Sequence, residues 1–220
     1  MKPALYPLPI LIVTVFFLIR AEFRKDNRQI YIFKPPATSL LIITALLSLL
    51  EKHTNVTYLT GILIGLGLSL GGDIALMFQS NRKAFTIGLV LFLLAHLAYA
   101  ITFTLLDSQH NDWGMTLLVL AIGASVYRLL YKGLDTMKIP VLAYILIISF
   151  MVNQALSTFV GSIFTTTQAW LIALGAILFY ISDLILAINR YWKSFKYQRI
   201  SLAFYYLGQF LIALSASYFA

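Results

Sequence analysis

Residues 58–79 read YLTGILIGLGLSLGGDIALMFQ, and residues 167–189 read TQAWLIALGAILFYISDLILAIN. An α-helix needs about 20 apolar residues to cross the hydrocarbon core of a bilayer, and both stretches have that length. Each carries a single charge, Asp73 in the first and Asp183 in the second. The rest of the chain is built the same way. Hydrophobic residues make up 60% of its 220 positions and charged residues 11%, whereas soluble domains carry about 25% charged residues. A chain of this size shows water a large surface if it is soluble, so the apolar excess must face lipid.

Eight spans are expected, at residues 4–20, 35–51, 58–79, 84–106, 113–132, 138–160, 167–189 and 198–219. The fold class is therefore all-α: a polytopic membrane bundle of eight transmembrane helices in one domain, residues 1–220. Arg20, Arg24, Lys25 and Arg28 follow the first apolar run with no small-residue cleavage site. That run reads as a retained span, not a signal peptide.

Basic residues alternate between the connections. Fourteen of the 16 Lys and Arg fall at the first, third, fifth and seventh connections, leaving Lys2 and Lys52 on the other side. By the positive-inside rule the basic loops are cytoplasmic and both termini outside; a bacterial inner membrane is the expected location. This distribution also accounts for the net charge of +8 without a nucleic-acid partner. Cysteine is absent, which excludes disulfides, thiolate nucleophiles and cysteine metal sites.

Asp73 and Asp183 stand 110 residues apart, half the chain. In that register Gly65 falls on Gly175, Leu68 on Leu178 and Leu76 on Leu186. Lys34-Pro35 opens the second span and Lys138-Ile139-Pro140 the sixth, while Ala95-His96-Leu97 aligns with Gly208-Gln209-Phe210. Halves of four helices, 1–110 and 111–220, would be parallel repeats; chance matching of apolar helices is the other reading.

Of the eight acids, Glu22, Asp26, Glu51, Asp107, Asp112 and Asp135 fall in loops or at helix ends, where solvation is expected. Asp73 and Asp183 do not. An aspartate at a helix centre costs about 2.5–3.5 kcal/mol on insertion scales and faces a bundle interior or wet cavity. Each lies six residues before a polar helix end, at Gln79 and Asn189, and so about 9 Å deep. Two carboxylates brought together out of water favour one neutral acid beside one anion, the pairing that glycosidases set across an oxocarbenium-like transition state. The alternative is that each aspartate is a hydrogen-bonding tie between helices.

His96, about 18 Å into the fourth span, is the one histidine inside a span; His53 and His110 lie in outer loops. That separation disfavours a three-histidine zinc site. His96 either orients water, bonds an aspartate or packs as a polar residue. Tyr205, Tyr206 and Gln209 enter the eighth span at the depth of the aspartates. Lipid-facing tyrosine is common near an interface, but Gln209 should face inward. Lys34 is placed at the cytoplasmic mouth of the second span, as a topology signal or a phosphate contact. Asn153 and Gln154 read as helix–helix hydrogen-bonding groups.

Lys34-Pro35, Gly72-Asp73 with Leu76-Met77-Phe78, Gly88-Leu89 through Phe92, His96 and Tyr99, Ser182-Asp183, and Tyr205/Tyr206 to Gln209 follow one another along nearly the whole chain. In that order they resemble the successive motifs of the lysoplasmalogenase (YhhN-type) family. The resemblance implies hydrolysis of the vinyl ether of lysoplasmalogens, giving a fatty aldehyde and glycerophosphocholine or glycerophosphoethanolamine. On that reading Asp73 and Asp183 are catalytic, Lys34, His96, Tyr99, Tyr205, Tyr206 and Gln209 bind substrate, and neither metal nor cofactor is required.

Two rivals use the same aspartates. An intramembrane aspartyl protease would need glycine where Leu70 stands and tyrosine where Ser182 stands. A proton-coupled transporter of a small molecule or lipid fits parallel repeats and intramembrane acids.

Overall fold

The computed structural model describes residues 2–78, 80–106, 113–196 and 198–219. Gln79, Asp107, His110 and Asp112 lie outside the described residues. Among the described residues eight α-helices run in chain order: α1 (Leu8–Arg24), α2 (Asn27–Leu46), α3 (Val56–Met77), α4 (Arg82–Leu106), α5 (Trp113–Leu130), α6 (Lys138–Ser157), α7 (Thr166–Tyr191) and α8 (Ser201–Ser215). Short 3-10 turns, such as Leu47–Leu50 after α2 and Gln198–Ile200 before α8, extend them. Seven of the eight are long and apolar enough to cross a membrane. Large apolar side chains such as Phe16, Leu105, Leu117 and Ile139 remain exposed around the bundle. A lipid solvent accepts them, while the helices satisfy the backbone internally. The protein is a polytopic membrane helical bundle.

α8 departs from the expected span at 198–219: its 15 residues reach only about 22 Å. Ten of those residues are buried, nine of them between Tyr205 and Ser215, so its C-terminal end is covered by protein, where irregular backbone at membrane depth is tolerated.

The second helix also departs from expectation. It begins at Asn27, not at Pro35, because the Asp26 carboxylate accepts from the Gln29 amide at 3.1 Å and caps it. Pro35 and Pro36 therefore lie inside the helix, where each removes a backbone donor. Lys34 is carried inward with them and is buried, not placed at a mouth. Glu22, expected in water, is buried in the last turn of α1.

The neighbours follow one pattern in each half. α1 packs on α2, α2 on α3, α3 on α4, and α4 on α6; likewise α5 packs on α6, α6 on α7, α7 on α8, and α8 on α2. Glycine permits the tightest crossings. A Cβ on Gly65 would lie 2.2 Å from the Tyr99 ring of α4, and one on Gly175 would lie 2.8 Å from the Gly208 carbonyl of α8. Asn153 of α6 accepts from Thr116 of α5 at 3.1 Å, and Gln154 donates to Thr104 of α4. Both are the interhelical ties expected of them.

Candidate active site

Asp73 is four residues from the end of α3 that meets the basic α3–α4 connection, and it is almost wholly buried. Three neighbouring side chains meet it. The Thr38 hydroxyl of α2 donates to Oδ2 at 2.6 Å, the Tyr205 hydroxyl of α8 donates to the same oxygen at 2.7 Å, and Lys34 Nζ stands 3.6 Å from Oδ1. Thr38 lies one helical turn beyond Lys34, so one face of α2 presents both groups. A buried carboxylate persists as an anion only when paired and hydrogen-bonded, and these partners satisfy that condition.

Asp183 is eight residues from the same end of α7. It is less enclosed, with 17% of its side chain exposed against 3% for Asp73. The Tyr144 hydroxyl of α6 donates to Oδ2 at 2.5 Å, and His96 Nε2 of α4 lies 3.5 Å from that oxygen. The imidazole is fixed by aromatic packing, with ring centroids 4.4 Å from Phe179 and 5.4 Å from Tyr144. No lysine or arginine lies within ion-pair distance of Asp183 among the described residues, so its surroundings differ in charge from those of Asp73.

Both carboxylates line one cavity of about 710 Å³, counting its open mouth. Its wall also includes Lys34, Tyr144, Ser182 and Tyr205, together with Glu22, Arg199 and Ser201. A second cavity of about 600 Å³, counting its open mouth, lies among α4, α5, α6 and α7; apolar side chains, including Val126, Leu130, Val141 and Ile148, make up most of its wall, with Asp183, Arg190 and three tyrosines completing it. The two share Phe85, Leu89, Tyr144, Asp183 and Leu186. Asp183 thus stands where the chamber that holds the paired charges meets a more apolar one.

The residues singled out by sequence divide into layers. Asp73, Asp183, Lys34 and Tyr205 line the polar chamber, and His96 is fully buried behind Asp183. Tyr206 bonds Thr38 at 3.5 Å and faces an apolar groove beside α1. Tyr99 donates to Gln209 Oε1 at 2.7 Å, and Gln209 donates to Ser69 at 2.8 Å. Those three join α3, α4 and α8 without lining the chamber. Thr38, Tyr144, Glu22 and Arg199 were not anticipated. The positions of Thr38 and Tyr144, shortly after Lys34-Pro35 and Lys138-Ile139-Pro140, were the available signal for the first two. Among the described residues no three histidine, cysteine or acidic side chains converge as a metal-ligand group.

Comparison with known proteins places these features in a family. The YhhN family model matches residues 29–216. "Uncharacterized membrane protein YhhN" of Escherichia coli O157:H7 is 28% identical over 207 residues, covering 92% of this chain and 94% of that protein. "Lysoplasmalogenase TMEM86A" of Homo sapiens is 32% identical over 163 residues, 71% of this chain and 65% of that protein. "Lysoplasmalogenase TMEM86B" of Rattus norvegicus is 31% identical over 151 residues, 66% of this chain and 56% of that protein. No solved structure matches the chain.

Proposed function

Since the chain belongs to the YhhN family, we propose that it is an integral membrane hydrolase that cleaves the vinyl ether of lysoplasmalogens by two-aspartate acid/base catalysis. The observation that carries this reading is the shared chamber: Asp73 and Asp183 line one cavity, and Asp183 also lines the apolar cavity beside it. The relatives named lysoplasmalogenase support it.

The alkenyl chain occupies the apolar cavity and the glycerophospho head group the polar one, which brings the vinyl ether to Asp183. Asp183, with no cation beside it, carries the proton; Asp73, paired with Lys34, is the anion. Asp183 protonates the alkene carbon distal to the ether oxygen, and the alkene electron pair forms the new C–H bond. The resulting oxocarbenium ion is stabilised by the nearby carboxylates. Water adds to the cationic carbon as Asp73 takes its proton. The hemiacetal then collapses. Asp73 returns its proton to the departing glycerol oxygen, Asp183 takes the hydroxyl proton, and the C–O bond breaks to give aldehyde and alcohol. Both aspartates end in their starting states. Tyr144 holds Asp183 through Oδ2, leaving Oδ1 to deliver the proton; His96 packs that arrangement from behind.

The shared neighbour pattern of α1–α4 and α5–α8 supports two parallel four-helix halves. The charge alternation supports a cytoplasmic basic end in a bacterial inner membrane, with both termini outside.

The reaction is tested in D2O. Protonation at carbon places one deuterium on the carbon next to the aldehyde carbonyl, read by mass spectrometry after immediate trapping. Aldehyde free of deuterium would refute acid-initiated cleavage.

A further inference from the structure

The chamber holds a second charge pair that the hydrolytic steps do not use. Glu22, in the last turn of α1, is 7% exposed, and its Oε2 lies 3.2 Å from Nη1 of Arg199. Arg199 sits on the 3-10 turn that leads into α8. Both side chains line the same cavity as Lys34 and the two aspartates.

Stability is a poor explanation for this pair. Withdrawing the Glu22 carboxylate from water offsets much of its attraction to Arg199, whose side chain stays 28% exposed, and a partly exposed ion pair contributes little to stability. Arg20, Arg24 and Arg28 are close in sequence, so an acid here also weakens the basic signal of its own loop. A ligand explains it better. A guanidinium carries five N–H donors in a fork that fits phosphate, more than one carboxylate can engage. The Glu22 carboxylate beside it is complementary to an ammonium. A phosphodiester joined to an ammonium through an ethylene unit presents the same two charges in the opposite sense.

Resting on the hydrolase reading above, we propose that Glu22 and Arg199 form a head-group subsite that selects zwitterionic amino-alcohol phosphodiesters over anionic head groups. The phosphate lies on Arg199 and the ammonium on Glu22, so each of four charges gains a counter-charge as the head group enters. A phosphoglycerol head group supplies no cation for Glu22 and brings its anion against it; discrimination comes from that repulsion as well as from the missing attraction. With the head group held there, the glycerol spans the polar chamber toward Asp183.

The test compares binding and turnover in purified protein. Binding uses uncleavable saturated alkyl-ether lysolipids with phosphocholine or phosphoglycerol head groups, measured by calorimetry in one detergent; turnover uses the matching vinyl ethers. Wild type should bind the phosphocholine lipid at least tenfold more tightly. Glu22→Gln should lower that preference at least fivefold, Glu22→Asp should keep most of it, and Arg199→Gln should weaken both lipids. Equal binding of the two lipids by wild type overturns the proposal, whether or not the variants fold. So does an unchanged preference in folded Glu22→Gln. A binding preference that Glu22→Gln loses, with no aldehyde released from either vinyl ether, supports the subsite while refuting the hydrolase reading.

Discussion

Lys34 and Asp73 form a charge pair whose removal should be measurable in three variants. At 3.6 Å their attraction is about 4–5 kcal/mol for an effective dielectric constant near 20. Breaking a buried pair by removing one partner costs about 3–5 kcal/mol, because the remaining charge is left uncompensated. Lys34→Met leaves Asp73 with the Thr38 and Tyr205 hydroxyls alone. Asp73→Asn leaves the Lys34 ammonium without its carboxylate. For a chain of this size each loss corresponds to a fall in unfolding temperature of roughly 6–20 °C. Removing both charges should recover most of it, so that the double variant is more stable than either single variant and the double-mutant cycle shows a strong positive coupling. Intrinsic tryptophan fluorescence during heating in detergent reads the transition. Single variants as stable as wild type, or a double variant no better than the worse single, would refute the ion pair. Activity should not return with stability: the double variant lacks the Asp73 carboxylate and should stay inactive.

Tyr144→Phe removes the 2.5 Å hydrogen bond to Asp183. Asp183 becomes a carboxylate as it gives up its proton, and a bond to a charged group contributes about 1.5–3 kcal/mol, so turnover should fall roughly 10- to 150-fold with little change in KM; steady-state kinetics with one lysoplasmalogen checks this. Val126, on α5, lines the apolar cavity. Val126→Trp should lower kcat/KM for long-chain substrates while sparing short-chain ones, read from a series of synthetic chain lengths; equal loss across the series would move the tail elsewhere.

The helix order was legible because hydropathy adds up locally and requires no tertiary contact to read. Pro35 misplaced the start of the second helix, since proline often opens helices and the competing signal was a single cap at Asp26 nine residues earlier. Its consequence reached the site: the extra turns put Lys34 beside Asp73 instead of at a mouth. The isolation of Asp73 and Asp183 in apolar helices marked them. Their partners carried no comparable mark, because a threonine or tyrosine hydroxyl is common in such helices and its bonding depends on which neighbour it meets. Thr38 and Tyr144 became identifiable only with α2 seated on α3 and α6 on α7. Gln209 does face inward, but toward Tyr99 and Ser69; polarity alone does not separate a helix tie from a chamber wall. Glu22 was misread for a related reason, since a helix-end acid looks solvated until Arg199, far along the chain, covers it.

On the proposed mechanism Asp73 and Asp183 act together on one vinyl ether. This is tested most directly by fatty-aldehyde release from synthetic choline and ethanolamine lysoplasmalogens, using purified wild type, Asp73→Asn and Asp183→Asn, with folding checked by monodisperse elution. The account predicts release by wild type and a loss of at least about 100-fold in each variant. Wild-type turnover in either folded variant would contradict the two-acid mechanism, and no release by folded wild type from either lipid would contradict the hydrolase assignment, returning the two aspartates to proton-coupled transport.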